Sequence, residues 1–456
     1  MPSSALSQTS NPIGGAAAPV RVLIVAEHAS ARFGGEAALP LHYLRVMLAR
    51  GLPVWLITHA RVREELLALF PNAHNQMIFI EDSNLHRWMW RLGSRLPARL
   101  SYFSTGFVSR LSTQLAQRRL ARELIAREGI QVVHQPMPVS PREPSVMHGL
   151  GVPVVIGPMN GGMDYPPAFQ QNKVRWVSWL AGLGRAASGL MNRLLPGKPR
   201  AAALLVANER TRAALPLGLS AKAVVLPENG VDLGLWQQLN AVSAAEASPS
   251  STANPAAAAP QVPRLVFMGR MVDWKAVDLL LLAFNQACAH TPMSLTLIGD
   301  GPEGERLRAL VRQQGRWADE EGQTGKVFFA GWQPQAQCAT TLRRSQVLVL
   351  PSLWECGGAV VLEAMACGLP VVATAWGGPL DYLNEECGIL VAPSSRQALI
   401  DGLAQGMQHL AANPELRARM GAAGRKRIEQ EFDWEHKVDE VLALFRRLIT
   451  SKNLPG

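Results

Sequence analysis

From Ala241 to Pro263 the chain reads AVSAAEASPSSTANPAAAAPQVP, a run reduced almost to alanine, serine, proline and threonine. Such a stretch has too little apolar surface to fold on and reads as a flexible linker. It divides the 456 residues into two parts, each long enough for a core of its own. Both parts open alike. RVLIVA (21–26) and RLVFM (264–268) are short apolar runs with the character of buried parallel strands, each followed by a glycine loop and a helix-spaced apolar stretch. Strand, glycine loop, helix and strand in that order begin a doubly wound sheet. The expected fold class is therefore α/β, two Rossmann-like doubly wound parallel-sheet domains joined by a linker. The expected divisions are a disordered tail 1–19, a domain 20–240, the linker 241–263, a domain 264–432 and a helical C-terminus 433–456, with Asp433 as N-cap of the last helix.

In the first part, further strands are expected at 54–58, 77–80, 131–134, 153–157, 204–207 and 223–226. Gly34 and Gly35 follow the first strand and either let a ligand approach the backbone or serve only as a helix-entry turn. His134 ends a strand, where doubly wound folds place ligand contacts; a buried structural histidine is the competing reading. The loop with Asn160, Gly161, Gly162 and Asp164 faces the same edge. Residues 1–240 hold 25 Lys and Arg against 13 Asp and Glu, whereas the remainder is slightly acidic. The basic excess gathers in 85–127 and 173–200. There Arg87, Arg91, Arg95 and Arg99 recur every fourth residue among Trp88 and Trp90, and Trp176 and Trp179 follow later. A helix would carry those arginines on one face and could lie on an anionic membrane surface. A solvated helix covering the sheet is the alternative. Nucleic acid is not expected as a partner, because no recognition motif accompanies the charge.

The second part carries the chemistry. Arg270 and Lys275 lie about the start of its first helix, where two cations and free N–H groups could clamp a diphosphate. Gly299, Gly301 and Gly304 spell G-x-G-x-x-G, but in the second strand–helix unit and without a following acid for ribose, so a strand-to-helix turn is the better reading. Residues 345–391 then give an apolar strand, a loop with Glu355, Gly357 and Gly358, a helix carrying Glu363, a second strand and the pair Gly377–Gly378. Carboxylates beside an anion site accept hydrogen bonds from sugar or ribose hydroxyls, which suggests a bound sugar nucleotide.

The five cysteines include no C-x-x-C pair, and neither H-E-x-x-H nor D-x-D occurs, so no metal is expected. Residues 1–19 have neither the basic nor the apolar region of a secretory signal, and no stretch approaches the ~18 apolar residues of a spanning helix. The expected location is cytoplasmic, with a peripheral position on the inner membrane face if the basic segments bind lipid.

Ordered over residues 20–450, these motifs resemble those of the bacterial retaining glycosyltransferases of family four, or group one, which have the GT-B fold. The matching residues are Gly34–Gly35, Asn229–Asp232, Gly269–Arg270 with Lys275, Gly299–Pro302, Glu355 followed by Glu363, and Gly377–Gly378. The resemblance implies an N-terminal acceptor domain, a C-terminal nucleotide-sugar domain and a last helix returning to the first domain. It implies that Arg270 and Lys275 neutralise the departing diphosphate, Glu355 holds the transferred sugar and Glu363 the ribose. Gly34, Gly35, Gly269, Gly299, Gly301, Gly357 and Gly358 would line the nucleotide-sugar site, with His134 touching the sugar. No cofactor or metal is implied beyond the nucleotide-sugar co-substrate. The expected partner is a lipid-linked or glycan acceptor in cell-surface polysaccharide or glycolipid synthesis. Two departures stand out. Gly357 replaces the family's usual Phe, implying a roomier or more mobile sugar pocket, and Pro136 replaces a second histidine. Another GT-B enzyme, such as a soluble glycogen- or sucrose-type synthase or a sugar-nucleotide epimerase, and a non-catalytic sugar-nucleotide-binding scaffold stay open at this level.

Overall fold

The computed structural model describes residues 19–97, 100–101, 104–170, 188–237 and 262–453. The linker up to residue 261 and the basic, Trp-containing segment 173–187 lie outside the described residues. Seven strands form the first sheet: β1 (Val22–Val25), β2 (Val54–His59), β3 (Met77–Ile80), β4 (Val132–Gln135), β5 (Val154–Met159), β6 (Ala203–Val206) and β7 (Ala223–Val225). Their order is β3-β2-β1-β4-β5-β6-β7 and every pairing is parallel. Side chains alternate through the sheet as the pleat requires. Val22 and Ile24 pack with Tyr43 and Leu44 on one face, and Leu23 and Val25 with Leu124 and Ile130 on the other. Apolar cover on both faces is why β1 is an unbroken VLIV run.

The second sheet has six strands: β8 (Arg264–Met268), β9 (Ser294–Ile298), β10 (Val327–Gly331), β11 (Val347–Leu350), β12 (Val371–Thr374) and β13 (Gly388–Val391). They run in the order β10-β9-β8-β11-β12-β13, again all parallel. The order reverses between β1 and β4 in one sheet and between β8 and β11 in the other. Crevices open at such switch points beyond the strand C-termini, which is where ligands sit in open α/β sheets. The loops after β8 and β11 carry Lys275 and Glu355, so the topology itself brings them together.

The last helix, Trp434–Asn453, follows Asp433, whose side chain accepts from the Glu435 N–H at 3.3 Å. It crosses to the first domain, where Trp434, Val438, Val441 and Phe445 join the core beside Tyr43 and Leu44.

The basic aromatic segment is not one helix. Asn84–Gly93 forms a short helix closed at its start by a Ser83–His86 capping box, and Thr105–Glu128 forms a long one. Gly93 ends the first because the chain turns back tightly on it: a Cβ there would fall 2.6 Å from both Ser101 Oγ and Thr105 Oγ1. Arg95 therefore lies beyond the helix that carries Arg87 and Arg91, and Arg99 lies outside the described residues. Arg87 and Arg91 share that helix face and Arg95 does not.

Candidate functional site

The loop after β8 is built by close backbone packing. The Gly269 N–H donates to Ile298 O at 3.0 Å and the Met271 N–H to Asp300 O at 2.9 Å. Gly299, at φ +123°, has room only for hydrogen, because a Cβ would lie 2.1 Å from the Gly269 carbonyl oxygen. At Gly301 it would lie 2.3 Å from the Met271 carbonyl oxygen. These two glycines press the β9 turn against the β8 turn and so shape the loop that carries Arg270 and Lys275. Ala276 takes a left-handed conformation, φ +49°, and turns the chain into the helix Val277–Ala287 immediately after Lys275.

The loop after β11 lies across this one. The Leu353 N–H donates to Trp274 O at 2.8 Å, joining the two loops by their backbones. Lys275 Nζ forms an ion pair with Glu355 Oε2, and the side chains keep only 14% and 12% of their surface exposed. Gly358, at φ +78°, caps the helix Ala359–Ala366, whose first N–H groups have no intrahelical acceptor. The Gly378 N–H donates to Glu355 O at 2.7 Å, so the second glycine pair fixes the loop from behind. Glu363 occupies the second turn of that helix. The residue is half-buried with its carboxyl set inward, and burial pushes its pKa up to about 7. Arg270 is exposed, and no ion pair of it is found among the described residues. Lys275, Glu355, Gly269 and Gly358 thus come together, with Arg270 on the same loop as Lys275 and Glu363 on the helix that Gly358 caps.

On the first domain, Gly34, at φ +93°, and Gly35 open the helix Gly35–Ala49, and among the described residues nothing lies within 4 Å of a Cβ built at either. Around that helix start are Glu36, Glu27 and the Arg110–Glu143 ion pair, 2.7 Å long. Burial raises the pKa of Glu27 and of Glu36, while Arg110 pulls each back down. His28 beside them is pushed down to about 4, first by burial and then by the Arg61 charge.

His134 is not in the crevice. It lies fully buried in β4, its Nε2 2.7 Å from Gly157 O and its ring packed edge-on against Tyr43 and Phe445. The C-terminal helix that supplies Phe445 covers it, and burial lowers its pKa to about 4. The sugar-contact role drawn from its strand-end position does not survive: its side chain belongs to the core.

The two strand-end edges face each other through polar contacts. Asn160 Nδ2 donates to Cys356 O at 2.8 Å, and Trp376 Nε1 donates to Asp164 O at 2.8 Å. Asp381 accepts from Asn208 Nδ2 at 2.8 Å and pairs with Arg210 at 3.1 Å. The Tyr165 and Trp354 rings meet edge-on at 5.0 Å. Gly357 does not widen the pocket: Glu228 Oε1 and Asn229 Nδ2 each lie 2.3 Å from where its Cβ would be. Sequence reasoning missed Glu228, Asn208, Arg210 and Asp381, whose roles arise only when the domains meet. It found Asn160 and Asn229 as loop residues without their partners.

The model of the glycosyl transferases group 1 matches residues 253–427, a span that holds Arg270, Lys275, Glu355 and Glu363. Residues 253–427 are thus similar to the glycosyl transferases of group 1. A curated relative, the D-inositol 3-phosphate glycosyltransferase of Mycobacterium leprae, is 34% identical over 189 residues, 41% of this chain and 42% of that protein. The Mycobacterium tuberculosis protein of the same name is 34% identical over 193 residues, 41% of this chain and 38% of its own length. The chain thus spans well under half the length of these relatives. Among solved structures, a glycosyltransferase from Rickettsia africae ESF-5 superposes with a TM-score of 0.61 at 15% identity, covering 95% of this chain and all of that one. This likeness shows the fold, the two-domain GT-B arrangement.

Proposed function

We propose that this chain is a group 1 glycosyl transferase that moves a hexose-type sugar from a nucleotide-sugar donor to a hydroxyl of a lipid-linked acceptor, with retention and without a metal, in cell-surface polysaccharide or glycolipid synthesis. The observation that carries the reading is the pairing of Lys275 with Glu355 beside the start of the helix Ala359–Ala366 at the switch point between β8 and β11, with Arg270 on the same loop as Lys275. Cations and oriented N–H groups there suit a diphosphate, and the carboxylate beside them suits sugar hydroxyls. The relatives' names and the group 1 match support glycosyl transfer.

The energetic task is the charge that develops on the leaving diphosphate. The C1–O bond to phosphate breaks as the acceptor oxygen bonds to C1 on the same face, and the acceptor proton passes to a phosphate oxygen. Preorganised donors on that phosphate are worth about 3–4 kcal/mol each when one is removed. In this scheme Lys275 leaves Glu355 for the diphosphate, Arg270 closes on the same group and Glu355 turns to the sugar. Glu363 accepts from the ribose, and Gly34 and Gly35 leave room for the donor diphosphate or an acceptor phosphate. Contact between the domains keeps water from the reacting carbon.

One feature supports a membrane-borne acceptor. Trp88 and Trp90 are 58% and 74% exposed on the same short helix as Arg87 and Arg91, a pairing that suits an anionic lipid surface. Among the described residues no helix is long and apolar enough to cross a membrane. The test is incorporation of label from a panel of radiolabelled nucleotide sugars into membranes of the source cell, with Glu355→Ala as control. Label that appears only with the unaltered chain upholds the proposal. Equal incorporation by both proteins, or into soluble acceptors alone, overturns it.

A further inference from the structure

Gly357 has no left-handed backbone angle, so what glycine provides there is space rather than conformational freedom. That space is filled from the other domain. Glu228 Oε1 and Asn229 Nδ2 occupy it, Asn229 Nδ2 lying 3.3 Å from Glu228 Oε1 and 3.1 Å from Tyr382 Oη. One residue away Asn160 holds the Cys356 carbonyl, and on the far side Gly378 holds that of Glu355. The segment 355–357 is therefore fixed on three sides, two of them supplied by the first domain.

The side chains that reach across start from an anchored base. The Val231 N–H donates to Phe432 O at 2.8 Å and the Trp434 N–H to Val231 O at 3.1 Å. Lys437, fully buried on the last helix, donates to Pro227 O. Glu228 itself is only 8% exposed. Holding a carboxyl in such a place opposes folding unless it is hydrogen-bonded, and Asn160 and Asn229 meet that need. A loop packed only for stability would be served by an apolar side chain at 228.

We infer that Glu228, seated with Asn229 in the space left by Gly357, is a positioning residue that sets the Glu355 loop for the donor sugar, so that the sugar half of the donor site is completed by the first domain. This rests on the reading of Glu355 as the sugar contact. The nucleotide contacts assigned to Arg270, Lys275 and Glu363 come from the second domain and do not need Glu228.

The experiment compares the full chain with Glu228→Ala, Glu228→Gln, Gly357→Ala and the Glu228→Ala/Gly357→Ala double variant. The probes are UDP, GDP, UDP-glucose, UDP-N-acetylglucosamine and GDP-mannose, followed by calorimetric titration, and the pair that the unaltered chain binds is carried forward. Expected is a loss of about tenfold in nucleotide-sugar affinity for Glu228→Ala and for Gly357→Ala, with the nucleoside diphosphate within about twofold. The double variant should be no worse than either single one, because both remove the same contact, and Glu228→Gln should stay within about threefold. Asn229→Ala carries the same expectation if Glu228→Ala does not fold. Equal losses for sugar and diphosphate, losses that multiply in the double variant, or no loss at all would overturn the inference. Absence of any binding by the unaltered chain would overturn the functional reading as well, which separates the two failures.

Discussion

Replacing Glu355 with alanine should tighten the binding of a nucleoside diphosphate while abolishing most turnover. Glu355 neutralises Lys275, the cation assigned to the diphosphate, and both side chains are largely shielded. Two unit charges about 4 Å apart at an effective dielectric near 20 attract by roughly 4 kcal/mol before desolvation, and a charge-assisted hydrogen bond nets about 1.5–3 kcal/mol. A phosphate that takes Lys275 must break that bond. If half of it is given up on binding, removing Glu355 returns about 0.7–1.5 kcal/mol, or roughly 3- to 12-fold in affinity. Turnover should fall about a hundredfold or more, because the sugar loses its positioning contact. Titration calorimetry with the diphosphate and an initial-rate assay read the two effects separately. Weaker diphosphate binding by Glu355→Ala would refute competition between the carboxylate and phosphate for Lys275.

Three other outcomes follow from the same geometry. Gly299→Ala forces a Cβ against the Gly269 carbonyl at a φ hostile to L residues, and should destabilise the second domain by about 3 kcal/mol, a fall of roughly 6–12 °C in its calorimetric transition. His134→Ala should cost about 3 kcal/mol through the cavity between Tyr43 and Phe445, yet leave nucleotide affinity unchanged; a selective loss of sugar binding would restore His134 to the site. Glu363 gives a pH signature. Its folded pKa of about 7 lies above the ordinary 4.5, so its contribution to stability is full below pH 4.5 and is lost as pH rises through 7. A ribose that donates to the carboxylate prefers it ionised, so nucleotide-sugar affinity should rise from pH 6 to about 8 and level off. Glu228, Lys198 and Lys437 also titrate near 7, so the decisive comparison is with Glu363→Gln, whose profile should be flatter. An unchanged profile would remove Glu363 from the ribose.

The strands of both sheets were legible because a parallel strand covered on both faces must be a short apolar run, as VLIV and VLVL are. The glycine loop after β11 was legible for a related reason: switch-point loops need glycine, and Gly358 shows it by its positive φ. The helix Thr105–Glu128 left no clear stripe. Its inward face includes Thr113, Gln114 and Gln117, and Gln114 Oε1 accepts the Val146 N–H at 3.2 Å, so hydrogen bonding replaces apolar periodicity there. His134 misled because a strand-end position does not disclose that a helix three hundred residues later will cover it. The pairing of Lys275 with Glu355, and of Glu228 with the space at Gly357, depends on elements brought together only by the fold.

The central claim is that the crevice between β8 and β11 binds the diphosphate of a nucleotide sugar through Arg270 and Lys275. Calorimetric titration of the full chain with UDP, GDP and ADP, repeated on Arg270→Ala, tests it most directly. The account predicts saturable binding of at least one nucleotide and a loss of about tenfold or more when Arg270 is removed. Binding that is indifferent to Arg270, or no binding by any of the three, would contradict it.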